Sequence, residues 1–364
     1  MNPFFPEIKK NFGFGCMRLP MIGDKVDIPQ TTKMVDTFLE RGFNYFDTAH
    51  GYIGGQSETA LRECLTSRYP RDKYILTNKL SGNFFKTTEE IRPLFEAQLK
   101  ACGVDYFDFY LMHALSREGH KAYQQLHCYD VAQELKAEGK IRHVGISFHD
   151  SAEVLDQILT DRPEIEVVQI QFNYVDYEDP KVESRKCYEV CRKHGKPVIV
   201  MEPVKGGSLV NLPDSARALL TGGSPASYAI RFAAGFDGMM MVLSGMSDMA
   251  QMEDNLSYMQ DFKKLNDTEL AAIDQVRAIY QALHRIPCTG CRYCTDGCPA
   301  GIAIPDLFTC LNDKHQNQGE PEKTYAAFDA KASDCLECGQ CEHICPQHLH
   351  IRDLLKAVAK EFEG

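Results

Sequence analysis

Tryptophan is missing from the 364 residues, so no indole is available to anchor a substrate by stacking. Long apolar runs are missing too. Nothing approaches the roughly 18 consecutive apolar residues of a membrane-spanning helix, which argues against a membrane as partner. Positive charge is in deficit: 40 Lys and Arg stand against 51 Asp and Glu, a net charge of −11. That balance argues against nucleic acid and anionic membrane surfaces. No Gly-x-Gly-x-x-Gly turn is visible, so a Rossmann-type dinucleotide site is not expected. Nothing at the N-terminus reads as a secretory leader, and the expected setting is cytoplasmic and reducing, where disulfides do not persist.

Cysteine, by contrast, is abundant, with 15 residues. Eight fall into two quartets of spacing C-x2-C-x2-C-x3-C-P: Cys288, Cys291, Cys294, Cys298 with Pro299, and Cys335, Cys338, Cys341, Cys345 with Pro346. Three cysteines two residues apart wrap a turn around one corner of an iron–sulfur cube, and in two-cluster ferredoxins the fourth serves the other cluster. The expected sets are Cys288, Cys291, Cys294 and Cys345 for one [4Fe–4S] cluster, and Cys335, Cys338, Cys341 and Cys298 for the other. Zinc ribbons use C-x2-C pairs, but not two quartets with this third interval and a trailing proline. The remaining seven (Cys16, Cys64, Cys102, Cys128, Cys187, Cys191, Cys310) are scattered, as small buried apolar residues are.

Apolar residues make up 44% and charged residues 25%, ordinary for a globular protein. Short apolar runs alternate with amphipathic ones up to about residue 285. Strands are predicted at 12–17, 43–47, 73–78, 106–112, 141–147, 166–171, 197–201 and 239–243. Helices are predicted near 30–41, 57–67, 88–102, 121–138, 151–160, 180–194, 225–234 and 249–259. Runs such as Met239-Met240-Met241-Val242-Leu243 are apolar throughout, as parallel strands covered on both faces are. Eight strand–helix units specify an α/β fold, a (β/α)8 TIM barrel over 1–285. Residues 286–364 read as a small ferredoxin-like two-cluster domain, with helices at 304–317 and 351–362. A further helix, 267–283, precedes it.

Catalytic groups of such barrels sit at the C-terminal ends of strands. Four chemically able residues fall there on three successive strands: Asp47 and Tyr52 after the second, Lys79 at the end of the third, and His113 at the end of the fourth. Any one of them alone would be unremarkable, but all four at equivalent strand ends are hard to dismiss. Aromatic residues Phe84, Phe85, Phe172, Tyr174 and Tyr177 suggest an apolar substrate pocket.

These segments resemble the aldo/keto reductase superfamily: Gly13-Phe14-Gly15-Cys16-Met17-Arg18-Leu19-Pro20, Phe46-Asp47-Thr48-Ala49 with Tyr52, the Lys79 strand, Leu111-Met112-His113, and Val144-Gly145-Ile146-Ser147. The resemblance spans 10–285 and is closest to members with a C-terminal ferredoxin-like extension. It implies carbonyl reduction by a catalytic tetrad of Asp47, Tyr52, Lys79 and His113: Tyr52 would give the proton, its anion stabilised by the Lys79 charge, Asp47 would hold Lys79, and His113 would donate to the carbonyl oxygen. It also implies NADP(H) or NAD(H), with Ser147 and Gln169 at the carboxamide and Ser244, Gly245, Ser247, Gln251, Asp254 and Asn255 at the adenosine phosphate end. The chain departs from the family pattern at Phe148, where asparagine is usual, at Met201, where an aromatic residue often stacks, and at Asp248, where Lys or Arg commonly meets the 2′-phosphate.

Hydride moves two electrons, whereas a [4Fe–4S] cluster passes one, and a flavin would reconcile them. Three functions follow. The first is an oxidoreductase acting on a small carbonyl or alcohol, its clusters relaying electrons to or from ferredoxin or another carrier. The second is a nicotinamide-dependent reductase with structural clusters. The third is a redox-sensing or electron-carrier subunit without turnover.

Overall fold

A computed structural model describes residues 3–316 and 318–364. Eight strands, numbered here β1 to β8, run Phe12–Gly15, Tyr45–Asp47, Ile75–Leu80, Phe107–Leu115, Ile141–Phe148, Val167–Gln171, Val198–Met201 and Met239–Ser244. All pair in parallel with their sequence neighbours, and β8 returns to β1, closing the barrel. Helices follow the strands in turn at Ile28–Glu40, Gln56–Leu61, Ile91–Cys102, Arg117–Gln125 with Cys128–Ala137, Ala152–Asp161, Ser184–Lys193, Pro225–Ala234 and Met249–Met259.

Local chemistry sets their starts. Asp27, Ser116, Ser224 and Asp248 each accept a backbone N–H of the first turn. The single helix predicted over 121–138 is two, because His127 takes a left-handed φ of 53° between them. A small hairpin, Met21–Ile22 against Lys25–Val26, was not predicted.

Side chains of one parity point into the barrel. Tyr45, Ile75, Phe109, Leu111, Val167, Ile199, Met241 and Leu243 form an inner layer with Phe5 and Ile8 of the N-terminal segment. Two glycines make room for it. A Cβ on Gly13 would stand 2.8 Å from Leu243, and one on Gly145 only 2.6 Å from the Val167 carbonyl. With the lower barrel filled, inward polar residues are left to its C-terminal end.

The chain divides into two compact units by its internal contacts. One holds the chain up to Val204 together with Gly222–Leu270; the other holds Lys205–Thr221 with Ala271–Gly364. The second unit has its own core, including Ile286, Ile302, Ile304, Leu307, Phe308, Leu349, Ile351, Leu355 and Val358. Its helices Ile304–His315 and Ile351–Phe362 follow the two quartets at equal distance, so the internal repeat extends beyond the cysteines. Asn317, the predicted end of the first of these helices, lies outside the described residues. Among the described residues no helix is long and apolar enough to cross a membrane. The seven scattered cysteines are all buried.

Candidate active site

Asp47 ends β2, Lys79 lies near the end of β3, and His113 lies two residues before the end of β4. All three share the inward parity. Tyr52 opens a short turn, Tyr52–Gly55, whose Ile53 and Gly54 have left-handed φ of 54° and 60°. The structure brings these four together. The buried Lys79 Nζ donates to Asp47 Oδ1 at 2.6 Å, to the Thr48 carbonyl at 2.8 Å and to the Tyr52 hydroxyl at 3.2 Å. The Tyr52 and His113 rings stand edge to face, centroids 6.1 Å apart. Burial pushes the Asp47 pKa up, opposed by the Lys79 charge and by hydrogen bonds from Lys79 and Gln169. His113 is held well below its ordinary pKa, by burial first and then by Lys79 and His149, so its imidazole is neutral.

Sequence reasoning missed the groups behind this set. Ser81 Oγ lies 2.6 Å from His113 Nδ1. Asn78 accepts from the Lys79 backbone N–H and donates to the buried Glu58, whose other oxygen meets His50 Nδ1 at 2.9 Å. Ser81 was legible, since it stands two residues from Lys79 and keeps its parity. The Glu58 contact depends on helix placement and left no local signal.

Of the predicted nicotinamide-end residues, Ser147 and Gln169 are register partners on β5 and β6 and are both buried. Ser147 Oγ accepts the Ala114 N–H at 2.7 Å. The predicted phosphate-end residues cluster from the end of β8 into helix Met249–Met259. Ser244 accepts from Asn255 at 2.9 Å, Ser247 N–H donates to Gln251 at 2.8 Å, and Asp254 accepts from Ser224 at 2.7 Å. Gly245 brings the backbone against Arg18, whose Cβ and Cδ would lie 3.3 Å from an added Cβ. Asp248 caps the helix, its carboxylate taking the Gln251 backbone N–H at 2.8 Å and side-chain amide at 3.0 Å.

The five aromatic residues do not form one pocket. Phe84 is exposed and packs edge-on to His50 at 4.7 Å. Phe85 packs on Tyr123, while Phe172, Tyr174 and Tyr177 pack against Phe232, and Phe172 and Tyr177 also against Phe236, in a separate cluster. The reason is parity: Gln169 and Gln171 point inward, which turns Phe172 out toward the helices.

In the second unit, Cys288, Cys291, Cys294 and Cys345 line one cavity. Cys298, Cys335, Cys338 and Cys341 line another. Each quartet thus contributes three cysteines to one cavity and its fourth to the other. Among the described residues no three His, Cys, Asp or Glu side chains are arranged for a single metal ion. Burial, then the neighbouring thiols of Cys291, Cys288 and Cys345, push the Cys294 thiol up to about 12. Such a crowd of sulfurs ionises together only around positive charge, so the donor set fits an iron–sulfur cluster.

The aldo/keto reductase family profile matches residues 11–278, and a 4Fe-4S dicluster domain profile matches 287–349. The NADH-specific methylglyoxal reductase of Escherichia coli is 28% identical over 210 residues, 50% of this chain and 62% of that protein. The chain therefore spans less than two thirds of that relative. L-galactose dehydrogenase of Arabidopsis thaliana is 23% identical over 310 residues, covering 75% of this chain and 91% of that one. A holo-form aldo-keto reductase structure from Bacillus halodurans superposes with TM-score 0.60 at 24% identity, covering 74% of this chain and 92% of the other. One from Klebsiella pneumoniae in complex with NADPH gives 0.58 at 20% identity, covering 73% and 90%. At these identities the structural likeness is one of fold.

Proposed function

The chain belongs to the aldo/keto reductase family and carries a 4Fe-4S dicluster domain, and on that premise we propose a carbonyl–alcohol oxidoreductase acting at the barrel mouth. The observation that carries the reading is the buried Lys79 ammonium, bonded at once to the Asp47 carboxylate and the Tyr52 hydroxyl. Tyr52 gives its proton to the substrate oxygen, and Lys79 stabilises the negative charge left on the phenol oxygen. Asp47 fixes Lys79. Neutral His113 donates a hydrogen bond that polarises the carbonyl and orients it.

A nicotinamide, when bound, supplies hydride to the carbonyl carbon. Ser147 and Gln169 would hold its carboxamide, and the segment from Ser244 through Asn255 the adenosine end. The Asp248 carboxylate already occupies the helix N-terminus there, where a 2′-phosphate would meet like charge. NAD(H) is therefore the preferred form, in keeping with the NADH-specific relative. The two cysteine sets would hold [4Fe–4S] clusters that relay single electrons to or from a carrier such as ferredoxin. A structural role is the second reading, favoured by the packing of Cys288, Cys294, Cys298, Cys335, Cys341 and Cys345 against the second unit's core. Reduction of the clusters by NADH or substrate separates the two.

The test is Tyr52→Phe, assayed anaerobically for NADH oxidation with methylglyoxal as a small carbonyl probe. Loss of at least about 100-fold in kcat with iron content intact supports the assignment; turnover equal to the parent's overturns it.

A further inference from the structure

The two cysteine-lined cavities are electrostatically unequal. Among the described residues, the cavity of Cys288, Cys291, Cys294 and Cys345 is lined by no ionisable side chain apart from its cysteines, and apolar side chains line both cavities, Phe308 and Leu349 the one and Ile302 and Leu355 the other. The cavity of Cys298, Cys335, Cys338 and Cys341 includes Arg352 in its lining. Glu342 grips that guanidinium from one side, accepting from Nε at 2.9 Å and from Nη2 at 2.7 Å, and also takes the Arg352 backbone N–H at 2.8 Å. The opposite edge faces the cysteine loop: a Cβ placed on Gly339 would lie 3.9 Å from Cζ and 4.0 Å from Nη1. Glu342 itself does not line the cavity, so of the pair only Arg352 borders the cysteines, its side chain 42% exposed. Cys338 is also the one exposed cysteine of the eight.

Resting on the reading that these sets hold [4Fe–4S] clusters, we infer that Arg352 sets the order of their reduction potentials. The cluster of Cys298, Cys335, Cys338 and Cys341 is the more easily reduced, and a transferred electron comes to rest on it. Adding an electron adds negative charge to a cluster. A guanidinium and nearby solvent favour that step, and these are what the second site has and the first lacks. Ile304 lines both cavities, so the two sites share a wall across which the electron passes.

The test is an anaerobic redox titration of the full holoprotein followed by electron paramagnetic resonance. Cys338→Ser identifies the signal of the second site. Arg352→Gln should lower the higher potential, leave the lower one in place and narrow the gap, with iron content unchanged. Arg352→Lys should restore most of the gap. Glu342→Gln, which leaves Arg352 without its counter-charge, should raise the higher potential and serves if Arg352→Gln loses iron. Unchanged potentials at full iron content, or equal shifts of both, overturn this inference alone. A folded chain that takes up no iron overturns it together with the cluster reading.

Discussion

Ser81 Oγ lies 2.6 Å from Nδ1 of His113. The ring is half-buried and desolvation holds it neutral; a Ser81 hydroxyl donating to Nδ1 would leave its single N–H on Nε2, where the proposed contact to the carbonyl needs it. Ser81 directly follows β3 and keeps the parity of Lys79, so one stretch of backbone supplies both the ammonium beside Tyr52 and the hydroxyl at His113.

Ser81→Ala removes that hydroxyl. Loss of one such hydrogen bond is worth about 0.5–1.5 kcal/mol, so kcat should fall roughly 2- to 12-fold with KM little changed. Steady-state kinetics decide it, and Ser81→Thr should recover most of the rate. An unaltered kcat in Ser81→Ala would show that the ring is oriented by other contacts.

Asp47→Ala leaves a buried ammonium without its carboxylate. Breaking one side of a buried ion pair costs about 3–5 kcal/mol, to be read from urea unfolding of the variant against the parent. A loss below about 1 kcal/mol would mean that the Thr48 carbonyl and Tyr52 suffice to hold the charge.

His50 carries a pH dependence of known sign. The hydrogen bond to buried Glu58 raises its pKa above 6.5, opposed by desolvation and assisted by the Glu58 charge. A raised folded-state pKa means that the stability this pair contributes is fully present below pH 6.5 and fades as pH climbs through the folded value. Thermal midpoints measured from pH 6 to 9 should decline less steeply in His50→Gln than in the parent. Parallel profiles would sink the assignment.

The crossed cysteine sets make an unusual demand on single substitutions. Cys345→Ala, in the second quartet, should perturb the site of Cys288, Cys291 and Cys294, while Cys298→Ala should perturb that of Cys335, Cys338 and Cys341. Intact protein should hold about eight iron atoms, and the two variants should lose different resonance signals. If each variant instead disturbs the signal of its own quartet, the crossing is wrong.

Periodicity and spacing are properties of neighbouring residues, and they were readable in one dimension. Their places at the C-terminal ends of successive apolar runs marked Asp47, Lys79 and His113 as candidates, and the continuous apolar runs specified parallel strands buried on both faces. The repeated quartet spacing announced paired cluster sites, and the family's segments followed in order from Gly13 to Ser147. Tertiary structure alone decided the rest, because it depends on contacts between residues distant in the chain. It joined Glu58 to His50 and Asn78, broke the helix at His127 by a backbone conformation that histidine does not advertise, and separated Phe84 from Phe172. It also turned Arg352 toward one cavity and left the other without a charge. A side chain's partner is fixed by where the whole chain closes, whereas its face is fixed by the residue two places away.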